Sequence, residues 1–122
     1  MLNKGNISEK VVLSFLKKRG YQILEKNFKL PKIGEIDIIA LKNKKIHCIE
    51  VKSSWSFEKY FLWFKMTPSK IKKVLKTFEL WIKTRGIDLS RNFYNDYDIE
   101  LDFAEVKKIK NKFKIKIIHN IN

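Results

Sequence analysis

Apolar residues recur along the chain with two different spacings, and the switches between them mark out its elements. From residue 6 to 19, Ile7, Val11, Val12, Phe15 and Leu16 fall on one face of a helix. Asn6 stands as its N-cap with Glu9 three positions later, as in a capping box, and Gly20 stops it. Tyr21 to Phe28 is strand-like, and Lys29 to Ile33 is a loop. Residues 34 to 52 then carry two strand-length apolar runs around Asn43-Lys44, a turn signal, so this stretch reads as a β-hairpin. Thr67 and Pro68 open a second helix as N-cap and first residue, with Ile71, Val74, Leu75, Phe78 and Ile82 as its buried stripe and Gly86 after its last turn. Ile87 to Asn95 is a polar connector, Tyr97 to Val106 alternates as a strand, and Lys112 to His119 returns antiparallel to it. This order predicts an α/β or α+β layer structure, a mixed sheet with the hairpin central and two main helices packed on it. A length of 122 residues predicts one domain, residues 1 to 122.

The hairpin concentrates charge. A two-residue turn sets Lys42 against Lys45, which counts back to Asp37 opposite Glu50 and Glu35 opposite Lys52. Strand alternation then sends all four of these last side chains to one face. Carboxylates directly opposite on paired strands repel, with Cβ atoms about 4.5–5.5 Å apart, so the pairing calls for compensation. A divalent cation such as Mg²⁺ or Mn²⁺, which takes oxygen ligands, would supply it, and Lys52 would add a mobile point charge. The alternative is an ordinary polar strand face, with Glu35 and Lys52 as a cross-strand ion pair and Asp37 paired to one of the many lysines.

Charge widens the picture from a site to a partner. With 27 basic and 13 acidic residues the net charge is +14, which points to a polyanion, most often nucleic acid. Lysine supplies nearly all of it, which suits phosphate attraction better than bidentate base reading. Lys29 and Lys32, just ahead of Glu35 and Asp37, are candidate phosphate guides or else solvated loop charges. Ser53 and Ser54 offer hydroxyls to phosphate oxygens, and among Lys70, Lys72, Lys73, Lys76 and Lys83 of the second helix, Lys70 and Lys73 are candidate phosphate contacts or else, like the rest, a solvated face. Residues 55 to 64 hold six large aromatics, readable as core, as a dimer surface or as a platform for unpaired bases. Lys112, Lys114 and Lys116 read as protection of a sheet edge. No apolar run is long enough to cross a bilayer, nothing suggests secretion and Cys48 is alone, so a cytoplasmic location is expected. His47 and His119 lack metal-ligand spacing to another His or Cys and read as isolated, His119 as a packing or capping residue.

Asp37 followed by Glu50-Val51-Lys52 resembles the D…ExK signature of the PD-(D/E)xK nuclease superfamily. The longer blocks Gly34-Glu35-Ile36-Asp37-Ile38-Ile39-Ala40 and Ile49-Glu50-Val51-Lys52 resemble the YraN-like family of predicted endonucleases, distantly related to archaeal Holliday-junction resolvases. The resemblance implies a restriction-endonuclease-like fold and metal-dependent cleavage of phosphodiesters in structured DNA. On that pattern Asp37, Glu50 and Lys52 would be catalytic. Asp37 and Glu50 would hold Mg²⁺ or Mn²⁺ with the Val51 carbonyl and Glu9 as further ligands, and Glu35 would support them from behind. Glu9 thus has two readings, capping box or metal site. Lys70 matches a lysine near the start of the family's second helix, Tyr97-Asp98 its late aromatic-Asp pair, and His119 a histidine near its C-terminus. The chain departs from the pattern at Ser8, where a glycine is usual, and at Ser53-Ser54, where a threonine and a basic residue are common. Paired cuts in a junction would imply a homodimer. The alternative function is a non-catalytic nucleic-acid-binding protein, including an RNA- or ribosome-associated factor, that keeps the nuclease fold.

Overall fold

A computed structural model describes residues 4–54, 66–84 and 98–121. The order along the chain is α1 (Lys4–Lys18), β1 (Gln22–Leu30), β2 (Gly34–Lys42), β3 (Lys45–Ser54), α2 (Pro68–Thr84), β4 (Asp98–Ile109) and β5 (Lys112–Ile118). The five strands form one sheet in the order β1-β2-β3-β4-β5. All neighbours are antiparallel except β3 and β4, which are parallel and have α2 between them in sequence. The result is the mixed α+β architecture expected, in the restriction-endonuclease-like arrangement of a mixed sheet with two helices. Aromatic residues 55 to 64, Gly86, the connector Ile87 to Asn95, and Tyr97 lie outside the described residues.

Local chemistry accounts for the element ends. Asn43 and Lys44 both take left-handed backbone angles, φ 52° and 61°, as a two-residue type I′ turn requires. That turn sets Lys42↔Lys45, and the ladder runs back in the expected register as far as Ile38↔Ile49. Gly20, at φ 86°, closes α1. The Tyr21 N–H donates to the Leu16 carbonyl and the Gly20 N–H to that of Lys17, the two bonds of a Schellman motif. At the other end α1 already includes residue 4, so Asn6 lies inside the helix rather than at its N-cap. Thr67 does cap α2, its hydroxyl accepting the Lys70 N–H at 3.3 Å.

The helices cover opposite faces of the sheet. On one side Val74, Phe78, Trp81 and Ile82 of α2 pack on Ile36, Ile39, Ile46, Cys48 and Leu101. On the other, Val12 and Leu16 of α1 pack on Ile38, Ala40, Ile49, Ala104 and Val106. The buried side of α2 differs from the expected stripe, because Thr77 and Trp81 are buried while Ile71 and Leu75 are only half-buried. Strand β5 is an edge, and Lys112, Lys114 and Lys116 are exposed along it, as sheet-edge protection requires. Among the described residues no helix is long and apolar enough to cross a membrane.

Gly34 sets how closely β2 approaches α2. A Cβ there would stand 2.5 Å from the Thr77 hydroxyl oxygen and 3.2 Å from the Lys73 carbonyl oxygen. The Thr77 hydroxyl is itself buried and held at 2.7 Å as donor to that same carbonyl. Gly34→Ala is therefore expected to destabilise the fold by about 1–3 kcal/mol in urea unfolding with an unchanged m-value. The double variant Gly34→Ala/Thr77→Ala should lose less than the sum of the two single changes, because the clashing oxygen is gone.

Candidate active site

The hairpin opens where its charges begin. The β2–β3 ladder stops at Ile38↔Ile49, so the expected backbone pairs Asp37↔Glu50 and Glu35↔Lys52 do not form. Instead, the Asp37 carboxylate accepts the Val51 N–H at 2.8 Å, taking the place of a backbone carbonyl. Regular alternation in β2 breaks at the same point, since Ile36 and Ile39 both belong to the α2-side core while Ile38 and Ala40 belong to the α1-side core. On the other side of Asp37, the pairs Lys26↔Ile38 and Phe28↔Ile36 leave Asn27 opposite it, in the left-handed region at φ 53°. A residue's N–H and C=O point to the same edge of a strand, so the Val51 carbonyl faces the gap that Asp37 bridges.

The splay gathers acids in a poorly hydrated place. The Glu50 and Asp37 carboxyls are hydrogen-bonded to each other, which raises the Glu50 carboxyl and lowers that of Asp37. Burial first, and then the Asp37 charge, push the Glu50 carboxyl up to about 8. Burial also raises Asp37, against the opposing pull of the Val51 N–H and the Glu50 hydrogen bond. Lys52 is close enough to lower both, and Glu35 close enough to raise both. Glu9 joins them from α1. Its carboxyl is raised by burial and by the charges of Asp37 and Glu35, and it is hydrogen-bonded to Asn27. With Asn6 inside α1 rather than at its N-cap, Glu9 belongs to this acidic group.

A cavity of about 290 Å³ opens beside the acids, lined by Gly34, Glu35, Glu50, Lys52, Met66, Lys70, Lys73 and Val74. Lys70 and Lys73 are thus brought next to the carboxylates by α2. Lys29 and Lys32 stand exposed on β1 and in the turn after it, outside this lining. Ser54 is a correction to the sequence reading: it is 5% exposed, so its hydroxyl cannot reach a phosphate at the surface. Ser53 is half-buried. Ser8, where a glycine was noted as usual, is buried in α1 at 1% exposure.

A second polar group escaped the sequence reading. His47 and His119, expected to be isolated, meet Glu100 and Asp102 in a cluster that can hold a metal ion. Strand β3 presents His47 on the α1 face, opposite in direction to Glu50 and Lys52. Parallel pairing sets His47 beside Glu100, with Asp102 two residues on. Both acids are buried although they occupy the polar positions of an alternating strand. Burial would raise the Asp102 carboxyl, but hydrogen bonds from His47, Glu100 and the Asn120 N–H hold it below the usual range. The available signal was that Glu100 and Asp102 share a strand face. The missing one was the β3–β4 register.

A family model described as "Uncharacterised protein family UPF0102" matches residues 8–99. This chain belongs to UPF0102. A UPF0102 protein of Campylobacter hominis is 38% identical over 118 residues, covering 97% of this chain and 92% of its own. One of Helicobacter pylori strain Shi470 is 36% identical over 118 residues, covering 97% and 90%. One of Aliarcobacter butzleri is 41% identical over 87 residues, covering 71% and 77%. The family match spans α1, the hairpin and α2, and so contains every acid at the splay. These names state no activity, which leaves the chemistry of this UPF0102 member to be argued from its residues.

A carboxyl whose folded value lies above its unfolded one makes the folded state hold protons more tightly, so stability falls as pH rises between the two. For Glu50 that window runs from 4.5 to about 8. In metal-free buffer with chelator, the wild type should lose stability through Glu50 as pH rises across it, by at most about 5 kcal/mol. Glu50→Gln should flatten this slope and be the more stable protein at pH 8.5, as read from denaturant unfolding at several pH values.

Proposed function

We propose that the chain is a metal-dependent nuclease acting on phosphodiester bonds, with structured DNA as substrate class. The observation that carries this reading is the hydrogen-bonded pair of Asp37 and Glu50, with Glu50 and Lys52 lining a cavity that Lys70 and Lys73 line as well. Two half-buried carboxyls held against each other are costly without a cation. The donors are all oxygen, from Asp37, Glu50, Glu9 and the Val51 carbonyl, which fits a hard ion such as Mg²⁺ or Mn²⁺. Such an ion, when bound, would neutralise phosphate charge and acidify a water.

The chain's own residues do the rest. The Val51 N–H fixes the Asp37 carboxylate, so the ligand is oriented before any ion arrives. Lys52 brings a positive charge to the side of the cavity where Glu50 lies and so stabilises the more negative transition state of phosphate attack. Lys70, in the first turn of α2, and Lys73, one turn further on, attract the flanking phosphates, and the helix N-terminus favours the same anion. Glu35, exposed at the rim, supports the site through its charge rather than by direct ligation. A four-way junction cut on two strands needs two such sites and hence a homodimer.

Labelled four-way-junction, flap, single-stranded and duplex DNA incubated with Mn²⁺ or Mg²⁺ test this reading. Asp37→Ala and Glu50→Ala are expected to bind DNA and not cut it. Lys52→Ala should slow cutting about 10²–10³-fold with little change in affinity. Lys70→Ala and Lys73→Ala should weaken binding to all sequences alike, each lowering the slope of log affinity against log salt by about one. Tight binding by the wild type without cutting under either metal would replace the nuclease with a nucleic-acid-binding module.

A further inference from the structure

In the cluster of His47, Glu100, Asp102 and His119, one ligand-type atom of each residue faces the other three. The Nδ1 atom of His47 lies 2.6 Å from Asp102 Oδ2 and 3.2 Å from Glu100 Oε2. The Nδ1 atom of His119 lies 3.1 Å and 2.9 Å from the same two oxygens. Two imidazole nitrogens and one oxygen of each carboxylate thus converge on one point, all within 4.8 Å of one another. The other oxygen of each carboxylate is held from outside. Asp102 Oδ1 accepts the Asn120 N–H at 2.9 Å, and Glu100 Oε1 lies 3.5 Å from Lys45 Nζ. This division, one oxygen inward and one anchored, is the outer support that metal-ligating carboxylates show. The His47 ring is held edge-on to Tyr21, at 5.1 Å and 71°.

We propose that these four residues form a second metal site, distinct from the acids at the splay, that binds a zinc-class divalent transition ion and clamps the C-terminal segment to the sheet. A tetrahedral ion at bond lengths of about 2.0–2.1 Å sets its ligand atoms about 3.3 Å apart, so it would replace the hydrogen-bonding protons and open these 2.6–3.2 Å contacts by a few tenths of an ångström. Two neutral imidazoles and two carboxylates make the site neutral with a doubly charged ion. Imidazole ligation selects zinc, cobalt or nickel over magnesium, the reverse of the oxygen-only group beside Lys52. The two groups lie on opposite faces of β3, because His47 and Glu50 differ by an odd number of residues. Cys48 takes no part, being on the α2 side with its thiol pushed up by burial. His119 is half exposed, which gives the ion a way in. The segment that would be fixed is also tied by the Ile121 N–H to the Leu101 carbonyl, at 2.8 Å.

The test is metal binding to the full chain after chelator treatment, independent of any nuclease assay. Zn²⁺ is expected to be retained at one ion per chain through gel filtration, measured by mass spectrometry, and to raise the melting temperature. Co²⁺ should give the intense visible absorption of a four-coordinate nitrogen-and-oxygen site, displaced by Zn²⁺ and not by excess Mg²⁺. His119→Ala should abolish retention and the cobalt band with an unchanged far-ultraviolet dichroism spectrum, while Asp37→Ala and Glu50→Ala keep both. No retained Zn²⁺ and no cobalt band in the wild type would overturn the proposal, without the need for any variant. So would binding that survives His119→Ala but is lost in Asp37→Ala, since the ion would then sit at the splay.

Discussion

The hydrogen bond from the Val51 N–H to the Asp37 carboxylate is the contact on which the rest of the site depends. A backbone donor in a sheet must find an acceptor, and ordinarily the neighbouring strand's carbonyl provides it. Here a side chain does, so β2 is free to leave β3 after Ile38↔Ile49 while the donor stays satisfied. The same bond holds one oxygen of Asp37 in place and turns its carboxyl toward Glu50. What would be a repulsive cross-strand pair in a regular ladder becomes a hydrogen-bonded pair of carboxyls, with Glu50 lining a cavity.

The strands around this opening are held by packing that does not involve charge. Gly34 lets β2 lie against the Thr77 hydroxyl and the Lys73 carbonyl of α2, which brings Lys70 and Lys73 to the cavity rim. Asn27, a residue type that accepts the left-handed region more readily than most, allows β1 to stay paired on both sides of the break and offers its side chain to Glu9. The strongly basic surface and the buried acids are therefore complementary parts. Lysines draw a polyanion in, and the desolvated carboxylates define where a cation would meet it.

One strand serves two different chemistries. Strand β3 sends Glu50 and Lys52 to the α2 face and His47 to the α1 face, so alternation alone separates an oxygen-only group from a nitrogen-and-oxygen group. The parallel partner β4 completes the second group with Glu100 and Asp102 and sets buried Glu105 beside Lys52. Glu105 in turn has an ion pair to Lys107 at 3.2 Å. Buried carboxylates thus occur on both faces of β4, an arrangement that nearby cations and hydrogen-bond donors sustain.

Features set by neighbouring residues were determined by the sequence itself. Asn43-Lys44 specified the turn and with it the register to Ile38↔Ile49, Gly20 the end of α1, Thr67 the start of α2, and the alternation of β3 that Glu50 and Lys52 share a face. Each rests on backbone geometry within a few residues. Tertiary structure decided whatever needed two distant segments. Glu9 looked like half of a capping box until α1 was seen to start before Asn6, and it was the packing of α1 on the sheet that brought it to Asp37 and Glu35. Ser54 looked available to phosphate, but the fold leaves it only 5% exposed. His47 and His119 looked isolated because the parallel register of β3 on β4, which unites them with Glu100 and Asp102, is set by how a long crossover packs. A hairpin carries its own register in its turn, whereas a parallel pair takes its register from the fold around it.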